Sequence, residues 1–167
     1  MATPTQPLRD EHRGLLPQVE SLRVAAEATA DGSPAEVDRL AGEALHFLQH
    51  ELIPHATAED EALYPVVAKA IGGPKATATM SRDHVEVGKL TAELRELLER
   101  GRETGDVHRE GLRRVLYGLY ALVHVHFAKE EEVYLPILDA ALDGPAAARM
   151  FEAMEAAAGR AKAAAVG

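Results

Sequence analysis

Apolar residues recur along this chain three and four positions apart, the spacing of one face of an α-helix, and nowhere alternate as a strand requires. The first run starts at Leu8 and passes through Leu15, Leu16, Val19 and Leu22. Asp31-Gly32-Ser33-Pro34 closes it and opens the next, with Ser33 placed as cap and Pro34 at the first helical position. The second helix extends to about Ile71 and stops at Gly72-Gly73-Pro74. A third covers roughly Lys75 to Arg100, and a fourth roughly Val107 to Leu142, ahead of Asp143-Gly144-Pro145. A short Ala-rich fifth, about 145–163, presents Met150, Phe151 and Met154 as its packing face.

This pattern predicts an all-α fold, an up-down-up-down four-helix bundle with an additional C-terminal helix. One domain spans 1–167, with the bundle core at about 8–142. Pro17 and Pro54 fall inside helices, near His12 and beside His55. Each removes a backbone donor, which predicts a kink with a π-bulge or a widened turn.

Polar residues interrupt the apolar stripes in a repeated way. His55-x-x-x-Glu59 is followed by Leu63-Tyr64-Pro65, and His126-x-x-x-Glu130 by Tyr134-Leu135-Pro136. An acidic pair follows each glutamate, Asp60-Glu61 and Glu131-Glu132, and a lone histidine, His12 or His84, precedes each copy by roughly forty residues. Residues four apart share a helix face. The lane of His55 and Glu59 continues to Leu48, Leu52, Ala62 and Val66, and that of His126 and Glu130 to Leu119, Val123, Val133 and Ile137. His12 shares its face with Leu8, Leu15, Leu16 and Val19, and His84 with Met80, Val87 and Thr91. Four imidazoles and two carboxylates are thus aimed into the bundle.

Burying two carboxylates without a cation costs several kcal/mol. Two divalent ions bridged by both carboxylates leave only a modest residual charge, and a diferric pair with one oxo bridge leaves the same. Imidazole with carboxylate and no thiolate suits iron, manganese or zinc. Six side chains are too many for one tetrahedral zinc, so a mononuclear site fits less well, and a metal-free polar core less well again.

Composition narrows the function further. Net charge is -9, with no basic cluster, which argues against nucleic acid and anionic membranes as partners. No apolar run approaches the ~20 residues of a membrane span. The start, Met1 to Pro7, has neither a basic nor an apolar leader segment, so the cytoplasm is the expected compartment. The chain has no cysteine, which removes disulfides, thiolate nucleophiles and iron–sulfur clusters together. No Ser-His-Asp grouping, P-loop or dinucleotide fingerprint is present.

The order His, His-x-x-x-Glu, His, His-x-x-x-Glu over roughly residues 8–140 resembles the hemerythrin-like (HHE cation-binding) family. Ferritin-like carboxylate proteins use the reverse order, Glu-x-x-His. The resemblance implies that His12, His55, His84 and His126 bind the metals and that Glu59 and Glu130 bridge them. It implies two iron ions, Fe2+ or Fe3+, with an oxo or hydroxo bridge, and a small diatomic or peroxide ligand. Oxygen carriers of the family have a second histidine four residues after the first on helix three, and an aspartate five after the last histidine. Here those places hold Gly88 and, one residue earlier, Glu130. The chain is therefore closer to a four-His, two-Glu branch, which points away from simple oxygen carriage.

The remaining polar residues read as peripheral. His46 and His124 lie about 180° and 160° out of phase with the ligand lanes, and His108 some 27 Å away along its helix. His50, about 140° off, reaches the centre only through a π-bulge at Pro54, and Glu51 is about 40° off phase. With Tyr134 and water, these two are the candidates for the place of the absent histidine. Tyr64 and Tyr117 are about 180° out of phase. Asp60, Glu61, Glu131 and Glu132 read mainly as a solvated face, with some of them orienting histidines.

The expected function is a non-haem di-iron protein that reacts with or senses O2, NO or peroxide, with peroxide or NO turnover as its enzymatic form. The alternative is an iron-homeostasis or redox sensor whose metal occupancy controls stability or partner binding. A purely structural bundle acting through its acidic face would bind no metal.

Overall fold

The computed structural model describes residues 3–166. Its regular structure is helical throughout, with no strand among the described residues. The first rod is α1 (Gln6–Ala28). The second runs as α2 (Pro34–Phe47), α3 (Ile53–Ala58) and α4 (Tyr64–Ile71), joined by the π-helical segments π1 (Leu48–Leu52) and π2 (Glu59–Leu63). The third is α5 (Ala78–Thr104). The fourth is α6 (Arg109–Lys129), π3 (Glu130–Tyr134) and α7 (Leu135–Ala141). The fifth is α8 (Gly144–Val166), a full 23 residues rather than a short cap.

Local chemistry sets these boundaries. The Ser33 hydroxyl accepts from the Glu36 N–H, and Pro34 opens α2 where a missing donor does no harm. Gly72 and Gly105 end α4 and α5 in the left-handed region, at φ 78° and 76°.

Rod one packs against rods two and four, and rod three against rods two and four, so the four close a square. Two apolar clusters fill it. One holds Leu15, Leu52, Val87, Val123 and Phe127; the other holds Leu8, Leu63, Met80, Leu135 and Leu138. Truncating one of the fully buried leucines to alanine would cost about 2–5 kcal/mol. Between the clusters lie the His and Glu positions of all four rods. α8 packs along rod two, over α3 and π2, through Ala147, Met150, Met154 and Ala157.

The π segments correct the lane reading. Pro54, Pro65 and Pro136 each stand second in the α-helix that follows one of them. A proline clashes with the carbonyl four residues back, and a widened turn relieves the clash. Each bulge inserts one residue and rotates everything downstream by about 100°. After π2 the buried lane is Leu63, Tyr64 and Val67, with Ala62 and Val66 only half-buried. After π3 it is Leu135 and Leu138, leaving Val133 half exposed and Ile137 half-buried. The bulge expected at Pro54 is present. At Pro17, by contrast, α1 continues as regular α-helix, and Leu16 faces outward at 40% exposure.

Candidate metal centre

Six side chains from four rods converge between the two apolar clusters. His12 comes from α1, His55 from α3, Glu59 from the start of π2, His84 from α5, His126 from α6 and Glu130 from the start of π3. Five of them are buried, and the His84 side chain is 9% exposed. Two donor groups form, His12, His55, Glu59 and Glu130 in one, and Glu59, His84 and His126 in the other. The donor atoms of each group lie within 4.8 Å of one another.

Both carboxylates straddle the groups. Glu59 turns Oε1 toward His55 Nε2 at 2.9 Å and His12 Nε2 at 3.5 Å, and Oε2 toward His84 Nε2 at 3.3 Å and His126 Nε2 at 3.8 Å. Glu130 turns Oε2 toward His12 Nε2 at 3.4 Å and Oε1 toward His126 Nε2 at 3.6 Å.

Five of these atoms are close to their neighbours without being hydrogen-bonded. His12 Nε2, His55 Nε2, both oxygens of Glu59 and Oε2 of Glu130 are buried with no aligned partner. Each such orphan normally costs about 1–3 kcal/mol, more when charged. Five orphans spread over the two adjoining groups fit bound cations, because imidazole nitrogens and carboxylate oxygens are donors for iron, manganese or zinc. In the metal-free protein the same crowding shifts proton affinities. Burial presses His55 down, but Glu59 and Glu11 outweigh it and hold the imidazole well above its usual range. Burial presses Glu59 up, and His55, His12 and His126 carry it well below the usual carboxylate value. Glu130 moves the other way: burial and then the neighbouring Glu59 charge raise it.

A seventh group enters that phase counting placed on the far side of the helix. Tyr64 Oη donates to Glu130 Oε1 at 2.7 Å and lies 3.1 Å from His126 Nε2 and 3.4 Å from His84 Nε2. π2 carries it there, by rotating residue 64 into the ligand face. Its counterpart after π3 is Leu135, because the two tails read Leu-Tyr-Pro and Tyr-Leu-Pro. The His84 and His126 group thus has a phenol that the pseudo-symmetric position of the other half lacks. Burial, then Glu59 and Glu130, push the Tyr64 hydroxyl far up, so it stays a donor in the metal-free protein.

None of the three side chains weighed for the absent histidine is at the centre. His50 packs at a 40° tilt against His46 with ring centroids 4.4 Å apart, Glu51 accepts from Gln18 at 3.3 Å, and Tyr134 donates to the Ala76 carbonyl at 3.3 Å. A Cβ on Gly88 would meet nothing within 4 Å. His46 and His124 are exposed, and His108 is half-buried at the start of α6, with φ 47°.

The outer nitrogen of every ligand-position histidine meets a carboxylate. His12 Nδ1 lies 2.8 Å from Glu131, His55 Nδ1 2.9 Å from Glu11, His84 Nδ1 2.9 Å from Asp60 and His126 Nδ1 3.0 Å from Asp83. Asp60 and Glu131 are thus the two of the acidic neighbours that orient histidines while remaining partly exposed, whereas Glu61 pairs with Arg160 at the surface. Glu11 and Asp83 escaped the sequence reading, although each sits directly before a lone histidine. Beside the centre is a cavity of about 10 Å³ walled by Leu52, Ala56, Val87, Val123 and Phe127. That is room for about one water-sized molecule.

No helix of the described residues is long and apolar enough to cross a membrane. No curated protein and no solved structure matches the chain. The hemerythrin HHE cation-binding domain model does match, over residues 3–138, so that it takes in all six convergent side chains and stops short of α8. With that match and this donor set, the chain belongs to the hemerythrin HHE cation-binding domain family.

Proposed function

We propose that the protein is a non-haem di-iron protein whose His12, His55, His84, His126, Glu59 and Glu130 hold an iron pair that reacts with or senses O2, NO or peroxide. The observation that carries this reading is the set of buried orphan atoms on His12, His55, Glu59 and Glu130. An iron pair, when bound, supplies open coordination positions and one-electron redox steps. The chain's own residues do the rest. Glu59, which belongs to both donor groups, and Glu130, which reaches from one toward His126 of the other, would hold the two irons near each other. Tyr64 keeps a proton at Oη, directed at Glu130 Oε1, beside the His84 and His126 group. Leu52, Val87, Val123 and Phe127 keep bulk water and larger molecules from the inner face, which supports a diatomic or peroxide as the ligand.

The same reading takes the bundle as up-down-up-down. Successive rods pass the two apolar clusters in alternating order, Leu8 to Leu15, Leu52 to Leu63, Met80 to Val87, Val123 to Leu135, which supports that topology.

Peroxide consumption by iron-loaded protein, measured beside Glu130→Ala, tests the enzymatic form. Loss of turnover in the variant is expected, and equal rates in both would sink it. A second reading, an iron-responsive sensor, is favoured by the fact that the six side chains come from all four rods. Metal uptake would then tie the rods together, and occupancy would govern stability. A melting temperature unmoved by chelation argues against it.

A further inference from the structure

Four carboxylates surround the centre in an arrangement with a rule. Glu11 and Asp83 directly precede His12 and His84 in sequence; Asp60 and Glu131 directly follow Glu59 and Glu130. Each is adjacent to an inward-facing side chain of its own rod, yet each serves a histidine of another rod. Consecutive side chains on a helix diverge by about 100°, so when one aims at the bundle axis the next aims at a neighbouring rod. Glu11 of rod one meets His55 of rod two, and Asp60 of rod two meets His84 of rod three. Asp83 of rod three meets His126 of rod four, and Glu131 of rod four meets His12 of rod one. The four contacts close a ring through all four rods.

A carboxylate only accepts, so each Nδ1 keeps its proton on the outer side, and loss of the second proton on metal uptake makes Nε2 the donor atom toward the centre. Three of the carboxylates are themselves held. Glu131 also binds Arg9, Asp83 binds Lys129, and Asp60 accepts from Ser81 at 2.6 Å.

We propose that Glu11, Asp60, Asp83 and Glu131 are positioning residues of the metal centre, fixing the tautomer and aim of all four histidines and raising their donor strength, with Lys129 moderating Asp83. The inference rests on the reading of the cluster as an iron site. An anionic partner on the outer nitrogen makes an imidazole a stronger donor and favours the ferric state. Neutralising Asp83 therefore raises the reduction midpoint. Removing the Lys129 cation, which leaves Asp83 more fully charged toward His126, lowers it.

The test uses the full chain as wild type, Asp83→Ala, Asp83→Asn and Lys129→Met, with Glu61→Gln as the surface control. Fe2+ affinity is read anaerobically against a competing chelator, the midpoint by redox titration of the iron-loaded proteins, and folding by the melting temperature of each metal-free protein. Asp83→Ala is expected to lose about 10–100-fold in Fe2+ affinity and Asp83→Asn less. Midpoints are expected to shift in opposite directions in Asp83→Asn and Lys129→Met, with the control unmoved. A merely structural role would lower melting temperature and affinity together and would not produce opposite signs. If Asp83→Ala fails to fold, Asp60→Asn, at a more exposed carboxylate, gives the same reading at His84. Wild-type affinity and midpoint in both Asp83 variants overturn the ring. Wild-type protein that takes up no iron overturns the iron site and the ring together.

Discussion

Tyr64 reaches across the bundle from rod two and donates a 2.7 Å hydrogen bond to Glu130 of rod four. The acceptor is a buried carboxylate whose other oxygen has no aligned partner. Tyr64→Phe keeps the ring and removes only the donor. It is expected to destabilise the metal-free protein by about 1–3 kcal/mol, the cost of stranding a buried acceptor. For a chain of this size that is roughly 2–4 °C in melting temperature per kcal/mol. An unchanged metal-free melting temperature would mean the bond contributes nothing.

Among the described residues Glu59 is the one side chain that completes both donor groups, whereas Glu130 completes one and reaches toward His126 of the other at 3.6 Å. Glu59→Ala should therefore abolish binding at both, whereas His12→Ala should weaken chiefly the group with His55, and His84→Ala chiefly the group with His126. Metal stoichiometry by elemental analysis checks this. A Glu59→Ala protein that retains full metal content would rule out the bridging role.

The charge balance of the metal-free centre predicts its response to pH. Burial presses His126 down, yet Glu130 and Glu59 outweigh it and hold the imidazole up to about 10, against 6.5 ordinarily. Because the folded value is raised, its stabilising contribution is complete below about 6.5 and is lost as pH rises through about 10. Metal uptake must displace those protons, so affinity rises over the same window. Scanning calorimetry with and without chelator should show the metal-free protein melting lower from pH 6.5 toward 10, while the gap to the loaded protein widens. A metal-free melting temperature that is flat or rising there contradicts this balance.

Gly88 lies inside α5, one turn beyond His84, with open space where a side chain would begin. Gly88→Ala should stabilise the protein by about 0.5–1 kcal/mol, because a helix-interior glycine carries that entropic penalty and nothing obstructs a methyl group. Thermal unfolding measures it. A destabilised variant would show that the space beside Gly88 is needed.

The rods were legible in the sequence because helical periodicity is a property of contiguous residues. Ser33, Gly72 and Gly105 mark their ends by side-chain and backbone chemistry that acts locally. The six convergent side chains were legible because each shares its face with neighbours on the N-terminal side of any bulge that follows, such as Leu8, Leu52, Met80 and Val123, that are buried. Tyr64 was not legible, because phase counted at a uniform 100° per residue fails across a π-bulge. The signal for it was present, a proline ten residues after the histidine in both copies, with tyrosine and leucine exchanged before it. Glu11 and Asp83 went unread for another reason. Their partners, His55 and His126, lie on other rods, and no count along one helix relates residues 11 and 55. For α8 the packing face was legible, since Met150 and Met154 are buried and Phe151 is partly buried beside them, but the surface it covers, along rod two, is remote in sequence and was not.

Elemental analysis of the protein reconstituted anaerobically with Fe2+ decides whether the six side chains hold an iron pair. A pair of irons per chain in the wild type, lost in Glu59→Ala with the fold retained, is the expected result. A folded wild-type chain that retains no iron after desalting would contradict it.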